Sequence, residues 1–142
     1  MISHKDTKML RDEAIERVAA IVVDCTFQLH RDLGPGLLET AYELLLVEEL
    51  RSHGRDVERQ LSVPLRYKST LIEHAFKIDL LVERRLVIEL KSVEKLMPVH
   101  GKQVLTYLRL MGLPLGLLIN FGEATIKTGI RRIANDYSGN RP

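Results

Sequence analysis

The chain has 142 residues, 45% of them hydrophobic and 28% charged, which allows one domain with a real core and excludes a disordered chain. No apolar run approaches the roughly 20 residues of a membrane span, and the single cysteine, Cys25, excludes an internal disulfide and a cysteine-based zinc site. The formal net charge of +2 excludes little by itself, but residues 1–83 carry a balance of −4 and residues 84–142 a balance of +6.

These features favour a cytoplasmic protein and are compatible with a polyanionic partner. The polar N-terminus differs from a signal peptide, and a lone cysteine suits a reducing compartment. A basic C-terminal portion is compatible with binding to a nucleic acid. Ordinary surface charge remains the simpler explanation of the asymmetry when it is considered alone.

Two helices are predicted at the start of the chain. Apolar residues recur at helical spacing within residues 11–31, and the stretch "LGPG" at residues 33–36 ends that helix. A homo-oligomer could use the same apolar stripe, but packing into the core is the default. A second helix is predicted over residues 37–52. Its buried stripe is predicted to consist of Leu37, Ala41, Leu44 and Leu45.

Extended segments follow these helices. Residues 57–67 are predicted to form a strand in which Pro64 indicates a sheet edge or a bulge. Residues 72–83 and 85–93 are predicted to form two antiparallel strands that turn around residues 83–85.

The C-terminal third combines a helix with a buried strand. The helix is predicted over residues 98–111, because Pro98 can open it and Gly112 can end it. Residues 115–121 are almost entirely apolar, as expected of a strand buried on both faces. Residues 125–136 are ambiguous, and a short strand or turn followed by a helical end is favoured.

The order of these elements is therefore α, α, β, β, β, α, β. It predicts the α/β class, with a central mixed sheet flanked by helices. No linker, repeat or low-complexity segment divides the sequence. Residues 1–142 are thus predicted to form a single domain, with its core at about residues 11–134.

Three charged residues interrupt the two central strands. Glu89 and Lys91 are two residues apart on one strand and therefore project from the same face. Leu81 is predicted to stand opposite Val87, because a two-residue turn would change the parity and bury Asp79 in the aliphatic face. Asp79 then stands opposite Glu89, with Cβ atoms roughly 5 Å apart. The other face is predicted to be wholly aliphatic, with Ile78, Leu80, Val82, Leu86, Ile88 and Leu90.

Two carboxylates at that distance repel each other, and a hard divalent cation is their natural partner. Mg²⁺ takes oxygen ligands and needs only one or two carboxylates together with waters and phosphate oxygens. Such an ion polarises a phosphoryl oxygen and activates a water, and Lys91 could offset the charge that builds on the phosphate. A structural network of Asp79, Glu89 and Lys91 on a half-exposed strand explains the spacing equally well.

The spacing of these residues resembles that of the PD-(D/E)XK nuclease superfamily. Asp79 and the later Glu89-Leu90-Lys91 are similar to the core motif of that superfamily. The stretch "GLLETAY" at residues 36–42 resembles Gly-x-x-Glu-x-x-Tyr, the signature of the GxxExxY family within it. Gln103 and Tyr107 resemble a Gln-x-x-x-Tyr pair, and the similarity covers roughly residues 15–133.

The resemblance implies a role for each of these residues. Asp79 and Glu89 would bind Mg²⁺ or Mn²⁺, with the backbone carbonyl of Leu90 as a further ligand. Glu39, on the second helix, would reach the same metal, and Lys91 would be the catalytic lysine. The residues on the substrate side would be Gln103, Tyr107 and Tyr42.

The local sequence also admits purely structural roles for several of these side chains. Glu39 suits the N-terminal end of a helix dipole, and Cys25 suits packing within an apolar helix. Gln103 and Tyr107 also fit a polar helix stripe. The basic residues that could hold phosphates, or equally be solvated surface, are Lys95, Lys102, Arg109, Arg131 and Arg132.

The function that the resemblance implies is metal-dependent hydrolysis of phosphodiester bonds, with DNA as the expected substrate and Mg²⁺ or Mn²⁺ as the cofactor. The implied architecture is a restriction-endonuclease-like fold. The alternative is a nucleic-acid-binding or assembly module that keeps the fold but does not cleave. A third possibility is a structural role in which the charges form a salt-bridge network. No membrane association is expected.

Overall fold

The helices and strands follow the predicted order, except in the last segment. The computed structural model describes the backbone of residues 4–135 and the side chains of residues 13–135. The helices are α1 (His4–Leu33), α2 (Glu39–Ser52), α3 (Pro98–Met111) and α4 (Ile126–Gly129). The strands are β1 (Val57–Tyr67), β2 (Thr70–Val82), β3 (Leu86–Lys91), β4 (Leu115–Asn120) and β5 (Ile130–Ala134). Within the described residues, no helix combines the length and apolar character that crossing a bilayer requires.

The five strands form one mixed sheet in the order β1-β2-β3-β4-β5. β3 and β4 are parallel, and the other neighbouring pairs are antiparallel. Parallel neighbours need a crossover connection, and α3 supplies it between β3 and β4. The predicted α/β class, with a restriction-endonuclease-like mixed sheet flanked by helices, is confirmed.

Helices cover both faces of the sheet. The larger hydrophobic core lies beneath α1 and α2 and includes Val22, Leu46 and Ile88, which are fully buried. A smaller core lies beneath α3 and includes Val87 and Leu108. The helically spaced positions of α1 that the sequence predicted to be apolar face the larger core. They are Ile15, Val18, Ala19, Val22, Thr26 and Leu29, all of them buried.

The buried face of α2 differs from the prediction. Leu37, Leu44 and Leu45 are between 39% and 47% exposed, so the predicted stripe is wrong. The segment carries apolar residues on two adjacent helix faces, and spacing alone could not choose between them. Packing against the sheet selects the other face. That face consists of Tyr42, Glu43, Leu46, Val47 and Leu50.

The two antiparallel hairpins confirm the predicted irregularity at Pro64 and the predicted register of β2 with β3. β1 is an edge strand, and its pairing with β2 shifts between Val63 and Leu65, at the position where Pro64 predicted a bulge. Across the turn at residues 83–85, Leu81 lies opposite Val87, as the parity of the two strands required.

Two further details of the prediction are wrong. Ile78 packs in the smaller core with Val87, so the alternation of faces along β2 breaks at Asp79. The β1 residue opposite Asp79 is Gln60, whose backbone is left-handed, with a φ of 53°.

In the C-terminal segment a helix, α4, precedes the strand β5, the reverse of the favoured order, because β5 pairs with β4 and completes the sheet. Residue 136 of that predicted segment lies outside the described residues.

Candidate metal centre

The paired backbones of β2 and β3 separate at the two predicted carboxylates. The ladder extends only as far as Leu80 opposite Ile88. Beyond it, the Asp79 N–H donates to Glu89 Oε1 at 3.0 Å, and the Leu90 N–H donates to Asp79 Oδ2 at 2.8 Å. Each carboxylate therefore takes a backbone donor of the opposite strand. The prediction that Asp79 and Glu89 lie together is confirmed.

A small cavity beside Asp79 brings three of the predicted ligands together. Its volume is about 60 Å³, more than the roughly 10–15 Å³ that one water needs. Its walls include Glu39 from α2, Asp79 from β2 and Leu90 from β3. Oxygen donors around a space of this size suit a hard divalent cation. Glu89, the fourth predicted ligand, is not among the residues that line this cavity, and the roles of all four residues as ligands remain predictions.

Glu39 reaches the cavity because the segment after β3 is bonded to the start of α2. Glu39 Oε1 accepts a hydrogen bond from the Ser92 N–H at 3.2 Å, and Ser92 Oγ donates to the Leu37 carbonyl at 2.8 Å. Gly36 turns the chain into α2 with a φ of 113°, a region that favours glycine. The Glu39 side chain is exposed, so its carboxylate is free to contact an ion at the cavity mouth.

Glu89 is the buried member of the carboxylate pair, with 6% of its surface exposed. Burial raises the pKa of its carboxyl group to about 8; the negative charge of Asp79 adds to this increase, and the positive charge of Lys91 opposes it. In the metal-free protein, Glu89 therefore holds a proton at neutral pH. A divalent cation would stabilise its charged form, so the carboxylate pair fits such an ion.

This pKa shift predicts a pH-dependent stability of the metal-free protein. A carboxyl group whose pKa is higher in the folded state stabilises the fold fully below its unfolded value of 4.5, and the contribution is lost as pH rises through about 8. Because glutamine does not ionise, the Glu89→Gln variant should not lose this stability as the pH rises. We expect it to raise the free energy of unfolding by at least ~1 kcal/mol at about pH 9, the equivalent of roughly one pKa unit. Urea denaturation in EDTA measures it, and an identical pH dependence in both proteins would contradict the shift.

The predicted catalytic lysine and the Gln-x-x-x-Tyr pair lie around Glu89. Tyr107 stacks on Phe76, with ring centroids 4.4 Å apart, and forms a side-chain hydrogen bond with Gln103. Burial, followed by the negative charge of Glu89, raises the pKa of the Tyr107 phenol, so the two side chains are close enough to interact. Lys91 is half-buried, and its charge acts on Glu89 as well. The charges of Lys91 and Glu89 act on one another, Gln103 is linked to Glu89 only through Tyr107, and the catalytic and binding roles of all three residues stay predictions.

Tyr42 does not reach the substrate side. It is fully buried and stacks on Phe121, with ring centroids 4.2 Å apart. Its hydroxyl donates to the Gly34 carbonyl and accepts a hydrogen bond from the Leu37 N–H. The predicted substrate contact is wrong, because α2 turns this side chain into the core. Tyr42 instead bonds the loop between α1 and α2 to the helix that carries Glu39.

Three residues that line the cavity were not predicted: Thr40, Glu43 and Gln60. Glu43 is 4% exposed, and its Oε2 lies 3.4 Å from Arg59 Nε. Gln60 Nε2 donates to Glu43 Oε1 at 2.6 Å and to Asp79 Oδ1 at 3.3 Å. Glu43 could have been found from its position one helical turn after Glu39. Gln60 has no comparable signal, because a glutamine in an edge strand is ordinarily a surface residue.

A second group of potential ligands lies between α1 and α2. Ligand atoms of Cys25, Glu49 and His53 all lie within 4.8 Å of one another. A single cysteine does not predict such a site from the sequence, because spacing along the chain cannot join residues on different helices. Burial, followed by the charges of Glu49 and Asp24, raises the pKa of the Cys25 thiol, and His53 Nδ1 lies 2.8 Å from the Glu49 carbonyl. A protonated thiol and an engaged imidazole make this cluster a poorer cation site than the oxygen-lined cavity.

The sequence was compared with protein families, curated proteins and solved structures, and one family matches. The sequence matches the PD-(D/E)XK nuclease superfamily over residues 16–133, a range that includes every residue of the candidate centre. That range extends from within α1 into β5. Searches of curated proteins and of solved structures found no match.

Proposed function

Since the chain belongs to the PD-(D/E)XK nuclease superfamily, we propose that it is a metal-dependent nuclease that hydrolyses phosphodiester bonds, with DNA as its substrate. The observation that carries this proposal is the pairing of Asp79 with Glu89 beside a cavity that Asp79 lines together with Glu39 and Leu90. A protein that only binds nucleic acid has no need of clustered carboxylates, because they repel the phosphates.

Asp79, Glu89, Glu39 and the backbone carbonyl of Leu90 would hold Mg²⁺ or Mn²⁺. All of them are oxygen donors, which these ions prefer. When bound, such an ion polarises a phosphoryl oxygen and lowers the pKa of a water. The chain keeps the two strand carboxylates in place through the N–H groups of Asp79 and Leu90.

Lys91 would supply positive charge from the protein to the reacting phosphate. It follows Glu89 by two residues, so the two side chains project from the same strand face, and the charge of Lys91 acts on Glu89. There it donates to a phosphate oxygen and offsets the charge that builds as water attacks. Gln103 and Tyr107 would orient the substrate from α3, where Gln103 is exposed and Tyr107 is held against Phe76.

We place the chain in the GxxExxY family of this superfamily because of residues 36–42. Gly36 has the positive φ that favours glycine, and Glu39 begins α2 at the cavity. The hydroxyl of Tyr42 fastens the preceding loop to α2. These three contributions support the placement, because together they deliver the Glu39 carboxylate to the cavity.

Incubation with labelled nucleic acids tests the proposed function. Purified protein is mixed with single- and double-stranded DNA and RNA, each with Mn²⁺ or with EDTA. We expect DNA cleavage that requires Mn²⁺ and is absent in the Glu89→Gln variant. Salt-sensitive binding without cleavage would favour the non-cleaving module instead. Cleavage that persists in EDTA would contradict a metal-dependent nuclease.

A basic groove beside α3 offers a path for the phosphate backbone. It has a volume of about 550 Å³ and lies between the start of α3 and β5. Lys95, Arg131 and Arg132 line it, and Arg132 also pairs with Glu16. Several basic residues of the C-terminal portion of the sequence therefore lie in this groove, next to α3, the helix that carries Gln103 and Tyr107.

Charge reversal in this groove is expected to weaken nucleic-acid binding. Lys95→Glu should lower the affinity and reduce the slope of log affinity against log salt by roughly 1, the value for one lost phosphate contact. Lys68→Glu makes the same charge change at the turn between β1 and β2 and serves as the control. Fluorescence anisotropy in EDTA at several salt concentrations measures both. An equal loss of affinity in the two variants would contradict a path through the groove.

A further inference from the structure

Gln60 has a strained backbone in the middle of a strand. Its φ of 53° lies in the left-handed region, where residues other than glycine are uncommon. The other described non-glycine residues with positive φ are Lys68, Glu83 and Arg84, and all three lie in hairpin turns. The ladder between β1 and β2 skips Gln60 and Asp79. Strain of this kind persists only where surrounding contacts hold it, and it clusters at functional sites.

The strained conformation directs the Gln60 side chain toward two carboxylates. Its Nε2 donates to Glu43 Oε1 at 2.6 Å and to Asp79 Oδ1 at 3.3 Å, which uses both amide hydrogens. Adjacent strand residues normally point to opposite faces, yet Arg59 also reaches Glu43, with Nε 3.4 Å from Oε2. The left-handed backbone at Gln60 allows both side chains to converge on the same buried carboxylate.

Asp79 lies at the end of this chain of contacts. Its Oδ1 accepts a hydrogen bond from Gln60 and its Oδ2 accepts one from the Leu90 N–H, so the orientation of the carboxylate is defined from both sides. Each oxygen keeps a lone pair that can bind an ion in the cavity. The Gln60 amide also lies between Asp79 and Glu43, whose charges would otherwise repel each other.

We infer that Gln60, supported by Glu43, is a positioning residue that orients Asp79 for divalent-metal binding. The inference rests on the proposed function, since it takes Asp79 as a ligand of the metal. The site then includes Gln60, a strand residue that acts on the metal only through Asp79. The chain thus keeps the strained backbone at Gln60 for metal binding, and folding does not require it.

Gln60→Gly separates metal binding from folding. Glycine adopts a positive φ without strain, which offsets the loss of the hydrogen bond to the buried Glu43, so the variant should unfold at a temperature close to that of the wild type. We expect its Mn²⁺ affinity to fall by about 10–100-fold, as is typical when a residue that supports a metal ligand is removed. Isothermal titration calorimetry measures the affinity for Mn²⁺ alone, and thermal unfolding in EDTA measures the stability.

Two further variants make this test specific. Lys68→Gly relieves a similar φ, 55° in the wild type, but at the turn between β1 and β2, away from Asp79. It should leave the Mn²⁺ affinity unchanged. Gln60→Met keeps the length of the side chain but removes the donor, and should lose affinity as the glycine variant does. Unchanged Mn²⁺ affinity in both Gln60 variants would overturn the inference. A clear loss of stability in Gln60→Gly would also overturn it, because the residue would then serve the fold.

Failure of the proposed function would look different. A wild-type protein whose Mn²⁺ binding depends on Gln60 but which cleaves no nucleic acid would refute the nuclease and support the positioning role. A wild-type protein that binds no Mn²⁺ would overturn both proposals.

Discussion

Lys91→Ala is expected to lower the rate of phosphodiester cleavage by roughly 10²–10⁴-fold while the fold stays intact. The side chain is half-buried at the end of β3, two residues after Glu89, and its charge acts on the Glu89 carboxyl group. Alanine removes the charge that would neutralise the reacting phosphate. It keeps the backbone carbonyl of residue 91, which accepts a hydrogen bond from the Phe121 N–H. Single-turnover cleavage of labelled DNA in Mn²⁺ measures the rate, and circular dichroism checks the fold.

Lys77→Ala is the matched control for that experiment, because Lys77 is an exposed lysine on the neighbouring strand β2. The same loss of charge at that position should leave the cleavage rate unchanged. An undiminished rate in Lys91→Ala would refute a catalytic role for Lys91. An equal loss of cleavage rate in both variants would mean that the missing charge weakens the attraction of DNA and does not act on the reaction itself.

Asp79→Asn is expected to abolish both Mn²⁺ binding and cleavage. A neutral amide is a much weaker ligand for a hard cation than a carboxylate, and the contacts of Gln60 and Leu90 both converge on Asp79. The loss of affinity should therefore exceed the roughly 10–100-fold expected for a residue that only supports a ligand. In EDTA at neutral pH the variant should be no more stable than the wild type, because Glu89 is then protonated and an amide can accept from only one of the Gln60 and Leu90 N–H groups.

Glu73→Gln is the control for the loss of a carboxylate, since Glu73 is exposed on the same strand as Asp79. Calorimetric titration with Mn²⁺ and thermal unfolding in EDTA apply to both variants, and Glu73→Gln should change neither result. If Asp79→Asn keeps the wild-type Mn²⁺ affinity, the ion binds elsewhere. The cluster of Cys25, Glu49 and His53 would then be the next place to examine.

Much of the fold could be predicted because some patterns allow only one arrangement. The almost wholly apolar segment at residues 115–121 required a strand covered on both faces, and β4 is buried along its whole length between β3 and β5. The parity of β2 and β3 required Leu81 to lie opposite Val87, as it does. The meeting of Asp79 and Glu89 follows from that register.

Other features depended on choices that the local sequence leaves open. α2 has apolar residues on two neighbouring faces, and packing against the sheet buries Leu46 while it leaves Leu44 and Leu45 partly exposed. Gln60 adopts a backbone conformation that its residue type disfavours, so propensity could not predict it. In the C-terminal segment, the open edge of β4 decided where β5 begins.

Glu39 required information beyond local physics. An acidic residue at the first position of α2 has an ordinary cause in the helix dipole. Its contact with the Ser92 N–H and its place in the cavity with Asp79 are tertiary features. Only the family resemblance predicted a metal role for Glu39, because a family motif includes residues that are distant in sequence but close in the folded protein.

A crystal structure of the protein soaked in Mn²⁺ tests most directly the claim that Asp79, Glu89 and Leu90 bind a divalent ion. We predict an anomalous peak in the cavity beside Asp79, within coordination distance of both strand carboxylates and of the Leu90 carbonyl. A peak at the cluster between α1 and α2 with none in the cavity, or an empty cavity at saturating Mn²⁺, would contradict the claim.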